Sequence, residues 1–342
     1  MSKKYSIMLN GLLDGISLSE KEAYELMISM ATEDLSPSLS GALLAGLRAK
    51  GETANEIRGF ARGMRDLAIR PIIPKGSPTL DTVGTGGDGS GSLNLSTGTG
   101  LLAAAYGVRV VKHGNRSISS RSGSADMLEK IGMTLPTTEK KAIAALNHLG
   151  FTFLFSPAFH PAMKAIMPVR NALGVRTVFN MLGPLSNPAT PPFQLIGAFS
   201  KDAAKLMAET LSGLPIQRAF VVHGAPSWDE ATPIGEFYLY DVTPGKVSAT
   251  IRQPEDYGLN RCSPKELLGK DAAYNAKALE LVFSGDDKGA HYDALLMGSS
   301  LVLEVMGKVE NPKEGVQATK KILDNGEALA FLNKFKAYFS EK

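Results

Sequence analysis

Asp81-Thr82-Val83-Gly84-Thr85-Gly86-Gly87-Asp88-Gly89-Ser90-Gly91-Ser92-Leu93-Asn94-Leu95-Ser96-Thr97 organises the reading of this 342-residue chain. The apolar run Leu80 to Val83 predicts a strand. It feeds a loop with five glycines, and the loop opens a helix. Glycine lets the backbone take positive φ and lets a ligand approach N–H groups closely. A helix N-terminus adds unsatisfied donors and partial positive charge. Together they predict an anion site suited to phosphate. Gly84-x-Gly86-x-x-Gly89 also matches the dinucleotide spacing, which needs an acidic residue about 20 positions on, at the end of the next strand. That strand here ends in Val110-Val111-Lys112-His113, and a lysine suits a phosphate instead. No GxxxxGK[ST] run supports a nucleotide P-loop. A plain connector would not need Asn94, Ser96 and Thr97 behind its glycines.

The next stretch outward, Lys112 to Ser124, follows the second strand with three cations and five serines, then opens a helix. Donor-rich loops beyond strand C-termini are where open α/β sheets hold ligands. Two such loops on neighbouring strands suit a ligand with phosphates at both ends. An ordinary solvated basic loop is the competing reading, and donor density argues against it.

Further out, helices alternate with strands at Val108–Val111, Phe151–Phe155, Phe193–Ala198 and Ala219–Val222, which predicts a mostly parallel sheet. Glu236 to Arg252 reads as antiparallel strands around Pro244-Gly245. The last ninety residues read as mostly helical. Residues 1–72 show helical spacing only, with capping boxes at Ser19-x-x-Glu22 and Thr53-x-x-Glu56. His160 to Leu182 reads as two helices with no strand between them. The expected organisation is α/β: a small helical domain at 1–72, joined by returning helices at about 161–188, and a large α/β domain at 73–342.

Composition excludes several classes. Net charge is +3, too mild for a nucleic-acid footprint. The lone cysteine, Cys262, cannot form an internal disulfide. No apolar run approaches the roughly 20 residues of a membrane span. No secretory leader is legible at the N-terminus, and a cytoplasmic location is the expectation.

Gly84-Thr-Gly-Gly-Asp88, Asn94-Leu-Ser96-Thr97 and Lys112-His-Gly-Asn115-Arg116 with Ser119-Ser120 and Ser122-Gly-Ser124-Ala-Asp126 resemble the signature runs of the anthranilate phosphoribosyltransferase family. So do His160-Pro-Ala-Met163, Pro168-Val-Arg170, Arg176-Thr-Val-Phe-Asn180, Gly183-Pro-Leu-Ser-Asn187-Pro188 and Val222-His223-Gly224 followed by Asp229-Glu230. The resemblance spans nearly the whole chain. It implies a nucleoside phosphorylase/phosphoribosyltransferase-like fold and phosphoribosyl transfer from 5-phosphoribosyl 1-pyrophosphate to anthranilate in tryptophan biosynthesis.

By the resemblance, Gly84, Gly87, Asp88, Ser92, Asn94, Leu95, Ser96, Thr97, Lys112, His113, Gly114, Asn115, Arg116, Ser119, Ser120 and Ser124 hold the phosphoribosyl donor. Lys112 and Asp88 are the expected catalytic groups. Ser96, Asp229 and Glu230 are the implied ligands of magnesium, two ions per subunit. Gly84, His113, Asn115, His160, Arg170 and Gly183 surround the aromatic substrate, with Arg170 on its carboxylate. The partners implied are these small molecules and a second copy of the chain, with neither nucleic acid nor membrane. Read alone, Asp229-Glu230 is an ordinary acidic turn, Arg170 a helix-surface arginine and each histidine a structural residue. The competing functions are a pyrimidine nucleoside phosphorylase-like enzyme, a nucleic-acid-binding paralogue and a sugar-phosphate binding protein. Two departures from the family's pattern stand out: Ser92-Leu93 where Thr-Phe is usual, and Trp228 where a smaller apolar residue is usual. Trp228 is expected either to reshape the acidic loop or simply to pack.

Overall fold

Four helices open the chain in the computed structural model, which describes residues 2–76, 78–117, 121–135 and 137–340. They are α1 (Ser2–Leu13), α2 (Glu20–Ala31), α3 (Pro37–Lys50) and α4 (Ala54–Asp66). Both capping boxes form. Ser19 Oγ accepts from Glu22 N at 3.2 Å while Ser19 N donates to Glu22 Oε2 at 2.8 Å. Thr53 and Glu56 repeat the exchange at 3.3 and 2.8 Å. Glu56 also accepts from Leu18 N and Lys50 Nζ, so one carboxylate caps α4 and ties it to the start of α2 and the end of α3.

Helices α2 and α4 touch backbone to backbone at Gly59. A Cβ there would fall on the Glu20 carbonyl and lie 2.7 Å from Ala23 Cβ. Gly59→Ala is therefore expected to lower unfolding free energy by about 1–3 kcal/mol, the usual cost of overpacking. Urea denaturation followed by circular dichroism measures it.

The α/β part follows as β1 (Thr79–Gly84), α5 (Leu95–Ala105), β2 (Arg109–Gly114), α6 (Ser124–Ile131), α7 (Glu139–Leu149) and β3 (Phe151–Phe155). Then come α8 (Ser156–Phe159), α9 (Met163–Leu173), α10 (Phe179–Leu185), β4 (Phe193–Gly197), α11 (Lys201–Ser212), β5 (Arg218–Gly224), β6 (Phe237–Thr243) and β7 (Lys246–Arg252). Helices α12 (Ala272–Ser284), α13 (Ala290–Val305), α14 (Pro312–Asp324) and α15 (Glu327–Ser340) end the described chain. The sheet runs β3-β2-β1-β4-β5-β6-β7, parallel through β5 and antiparallel at β6 and β7.

One face of the sheet packs against α5, α6 and α12–α15. The other shares a continuous core with α4, α10, α11 and the rest of the helical bundle. Helix α9 packs against α2 and α3. No helix among the described residues is long and apolar enough to cross a membrane.

Strand order reverses between β1 and β4, which makes the crevice beyond their C-terminal ends a topological switch point. The glycine loop lies in that crevice. The second strand runs past the Val108–Val111 apolar run: Lys112, His113 and Gly114 pair with Phe153, Leu154 and Phe155 of β3. Lys112 and His113 are core residues, 2% and 3% exposed, and not part of a solvated loop. The strand tolerates them because buried partners await both.

Candidate active site

The glycine loop takes its shape from backbone that L-residues adopt only with strain: φ is positive at Gly86, Gly87, Gly89 and Gly91. Thr85 N donates to Gly197 O at 3.0 Å, which hooks the loop onto β4. Asp88 Oδ1 accepts from Ser90 N and Ser90 Oγ at 3.1 and 3.0 Å, folding the loop back on itself. Ser90 Oγ lies 3.3 Å from Ser92 Oγ. Arg176 reaches across to donate to Gly87 O while its guanidinium stacks 4.2 Å from the Phe199 ring.

The acidic loop after β5 closes against this turn. Gly86 N donates to Asp229 Oδ2 at 2.6 Å, and Asp229 N donates to Asp88 Oδ2 at 3.1 Å. Gly84 and Gly197 must be glycine for this contact: a Cβ on either would fall on Asp229, on its carboxylate or its carbonyl respectively. Glu230 Oε1 accepts from Ser96 N at 3.1 Å, in the first turn of α5. Burial, and then the neighbouring acid charges, push both Asp229 and Glu230 well above the usual carboxylate range. Trp228, just before them, packs in the main core at 6% exposure.

Lys112 is the cation in this acidic pocket. Its Nζ donates to Thr82 O and lies 3.3 Å from Ser96 Oγ. Burial drives its pKa down, and Asp81, Glu230 and Asp229 draw it back up. Asp81, fully buried on β1, accepts from Asn187 Nδ2 at 2.8 Å and from His113 N at 3.3 Å. Burial raises its pKa to about 6 against the pull of Lys112. Thr97 Oγ1 is buried without a partner among the described residues.

Asn94 stands at the start of α5, but its side chain does not cap the helix. Its Nδ2 donates to Ser122 O at 3.0 Å, and its Oδ1 accepts from Ser122 Oγ at 3.1 Å and Asn275 Nδ2 at 2.9 Å. It braces the two donor-rich loops against α12. Leu95 is buried and offers the site only backbone, and its N–H already donates to Leu93 O at 2.6 Å.

Around the second loop, Gly114 leaves room that a Cβ would take from Ser124 Oγ and the Phe153 ring. Ser124 Oγ donates to Asn115 O at 3.2 Å. The Arg116 guanidinium is engaged by Glu129 at 2.5 and 2.7 Å and by Asp126 at 3.0 Å. Ser119 and Ser120 lie outside the described residues.

His113 and His160 form a wall beside these loops, their rings 5.0 Å apart and near edge-to-face. His113 Nδ1 meets Gly183 O at 3.2 Å. Burial lowers their pKa values to about 3 and about 4, so both rings are neutral at neutral pH. Arg170 on α9 lies 5.3 Å from the Phe179 ring and has no carboxylate partner among the described residues. Burial lowers its pKa. A half-buried, unpaired guanidinium is a ready grip for a ligand carboxylate.

Sequence reasoning missed Asp81, Ser122, Asn275 and the Arg176–Gly87 tie as parts of this assembly. Asp81 and Arg176 were visible within recognised runs. Asn275, 181 residues from Asn94, gave no local signal.

Comparison with known proteins agrees with this architecture. Residues 7–68 match the helical bundle domain of a glycosyl transferase family, and residues 76–329 match its a/b domain. The anthranilate phosphoribosyltransferase of Rubrobacter xylanophilus is 42% identical over 321 residues, covering 94% of this chain and 93% of that protein. The crystal structure of the Thermus thermophilus anthranilate phosphoribosyltransferase aligns with a TM-score of 0.90 at 42% identity, covering 97% of this chain and 99% of that one. The Saccharomyces cerevisiae enzyme in complex with PRPP and Mg aligns at 0.90 with 25% identity, covering 100% of this chain and 99% of that one. The chain belongs to the anthranilate phosphoribosyltransferases of this glycosyl transferase family.

Proposed function

We propose that the chain transfers the phosphoribosyl group of 5-phosphoribosyl 1-pyrophosphate to the amine of anthranilate, releasing pyrophosphate. The observation that carries this is the convergence of Lys112, the glycine loop and the Asp229-Glu230 turn at the switch point.

Glycine-loop amides, the first turn of α5 and Lys112 bind the phosphates. The donor residues named from sequence, including Ser92, Thr97, Gly114, Asn115 and Arg116, are assigned with them. Asp88 shapes the loop and holds the Asp229 backbone. The acidic pocket suits a hard divalent cation: its donors are oxygens, and its recessed carboxylates repel one another without one. Ser96, Asp229 and Glu230 would hold magnesium, with two ions per subunit. When bound, magnesium supplies positive charge against the departing pyrophosphate. Lys112 adds a fixed cation there, so the C1–O bond of the ribose ionises toward an oxocarbenium-like state. Arg170 holds the anthranilate carboxylate. The neutral His113–His160 wall, Gly84, Asn115 and Gly183 orient the ring so that its amine meets the opposite face. Positioning and preorganised charge then supply most of the rate.

The helical unit at 1–72 with 161–188 would close on the α/β unit at 73–342. Two subunits would pair through the helical unit, where Ile7, Leu13 and Ile16 stand more than 60% exposed. The cytoplasm is the location assigned to the reaction.

Mass spectrometry of the complete reaction should find N-(5-phosphoribosyl)anthranilate and pyrophosphate in equal amounts. Uridine with inorganic phosphate should stay unconverted; phosphorolysis would instead make the chain a nucleoside phosphorylase. Arg170→Ala should raise the KM for anthranilate by about 10- to 150-fold, the worth of a hydrogen bond to a charged group. The KM for the phosphoribosyl donor should change little.

A further inference from the structure

Asn275 lies in the first turn of α12 and is 1% exposed. The segment ahead of it runs along the exit of the glycine loop. Leu93 N donates to Leu267 O at 3.0 Å, and Gly269 N donates to Gly91 O at 2.8 Å. Gly269 lets the chains close up: a Cβ there would lie 2.7 Å from both Asn275 Oδ1 and Ser92 O. The Asn275 amide is thereby carried onto the side chain of Asn94, 181 residues away.

Two backbone groups fix which way both amides point. Lys270 N–H can only donate, so the Asn275 atom 2.8 Å from it is Oδ1. That turns Asn275 Nδ2 towards Asn94 at 2.9 Å, and the atom it meets must be an acceptor, Asn94 Oδ1. At the other end Ser122 C=O can only accept, and Asn94 Nδ2 faces it at 3.0 Å. Ser122 Oγ adds a second donor to Asn94 Oδ1 at 3.1 Å. Both anchors demand the same orientation of Asn94. An amide nitrogen carries two hydrogens, and Ser122 O takes one. The other has no acceptor among the described residues, and Asn94 is only half-buried, two residues before Ser96 at the start of α5.

We propose that Asn275 is a positioning residue for 5-phosphoribosyl 1-pyrophosphate: it holds the Asn94 amide so that its spare N–H is offered to a phosphate oxygen of that ligand. The inference rests on the proposed transfer reaction, which supplies the anion. With its amide reversed, Asn94 would present lone pairs to the phosphate, and attraction would become repulsion.

Isothermal titration of the full-length protein with 5-phosphoribosyl 1-pyrophosphate in magnesium chloride tests this. Asn275→Asp and Asn275→Ala are each made alone and in an Asn94→Ala background. A carboxylate at 275 has no N–H for Asn94 Oδ1, so the Asn94 amide must turn over. Asn275→Asp should weaken binding by about tenfold or more, the worth of a hydrogen bond to a charged group. Asn275→Ala leaves Ser122 Oγ to orient the amide and should cost less, about threefold. In Asn94→Ala no amide remains to reverse, and each substitution should have a much smaller effect than beside Asn94. The KM for anthranilate should change little throughout. A packing role would make the near-isosteric Asn275→Asp milder than the truncation, and simple charge repulsion would weaken binding equally in both backgrounds; either result would overturn the proposal. If Asn275→Asp does not fold, Asn275→Ala decides: a loss that is the same with and without the Asn94 amide overturns it. A wild type that binds no 5-phosphoribosyl 1-pyrophosphate would sink the transfer reaction itself, whereas a wild type that binds it no more tightly than folded Asn275→Asp would sink this inference alone.

Discussion

Lys112→Met should lower kcat by about 10²–10³-fold, the usual loss when one preorganised group facing developing negative charge is removed. The substitution keeps most of the volume and removes the ammonium. Two buried consequences follow. The departing pyrophosphate loses a fixed cation, and Asp81 loses the charge that offsets its burial. The second loss depends on pH. Without Lys112 the folded pKa of Asp81 rises above its present value of about 6, while the unfolded value stays ordinary. A carboxyl whose folded pKa is raised loses stability as pH climbs from the unfolded value through the folded one. The variant should therefore melt close to wild type near pH 4–5 and well below it at pH 8. Calorimetric scans across that range check this, and a constant gap would mean that Asp81 and Lys112 are not coupled.

Glu230→Gln should separate stability from activity. Without divalent cation, Glu230 is recessed among acids, and its folded pKa lies well above 4.5. The sign is the same as for Asp81: the carboxylate costs the fold more as pH rises from about 4.5 into the neutral range. An amide removes that cost and keeps an oxygen for Ser96 N. In chelator-treated protein the variant should match wild type near pH 4.5 and melt higher at pH 8. Magnesium chloride should raise the wild-type melting temperature more than that of the variant, because cation binding stabilises only the state that holds it. Activity should move the opposite way, down by about 10²-fold or more. A variant both less stable and less active at pH 8 would mark Glu230 as a structural acid.

Much of this was legible in sequence, for identifiable reasons. The capping boxes at Ser19 and Thr53 and the Phe151–Phe155 strand are local signals, and they appear where expected. The glycine loop was legible as a tight turn because its backbone takes positive φ at four glycines. The pairing of Lys112 and His113 within the sheet was hidden because charge is a surface signal in sequence. Pairing with β3 and the buried Asp81 outweigh that local preference, a tertiary effect. The braces on Asn94 were hidden because Ser122 and Asn275 come from distant elements. The paired state of Arg116 likewise depends on α6 folding beneath it. Trp228 was open in sequence; it packs in the core directly ahead of the acidic loop.

Anthranilate-consuming phosphoribosyl transfer at the β1–β4 switch point is read from the decay of anthranilate fluorescence after mixing purified protein with anthranilate, 5-phosphoribosyl 1-pyrophosphate and magnesium chloride. The expected result is a decay that needs all three additions, stops on chelation and is nearly abolished in Lys112→Met. A flat trace from folded protein with all three present would mean that the chain does not consume anthranilate.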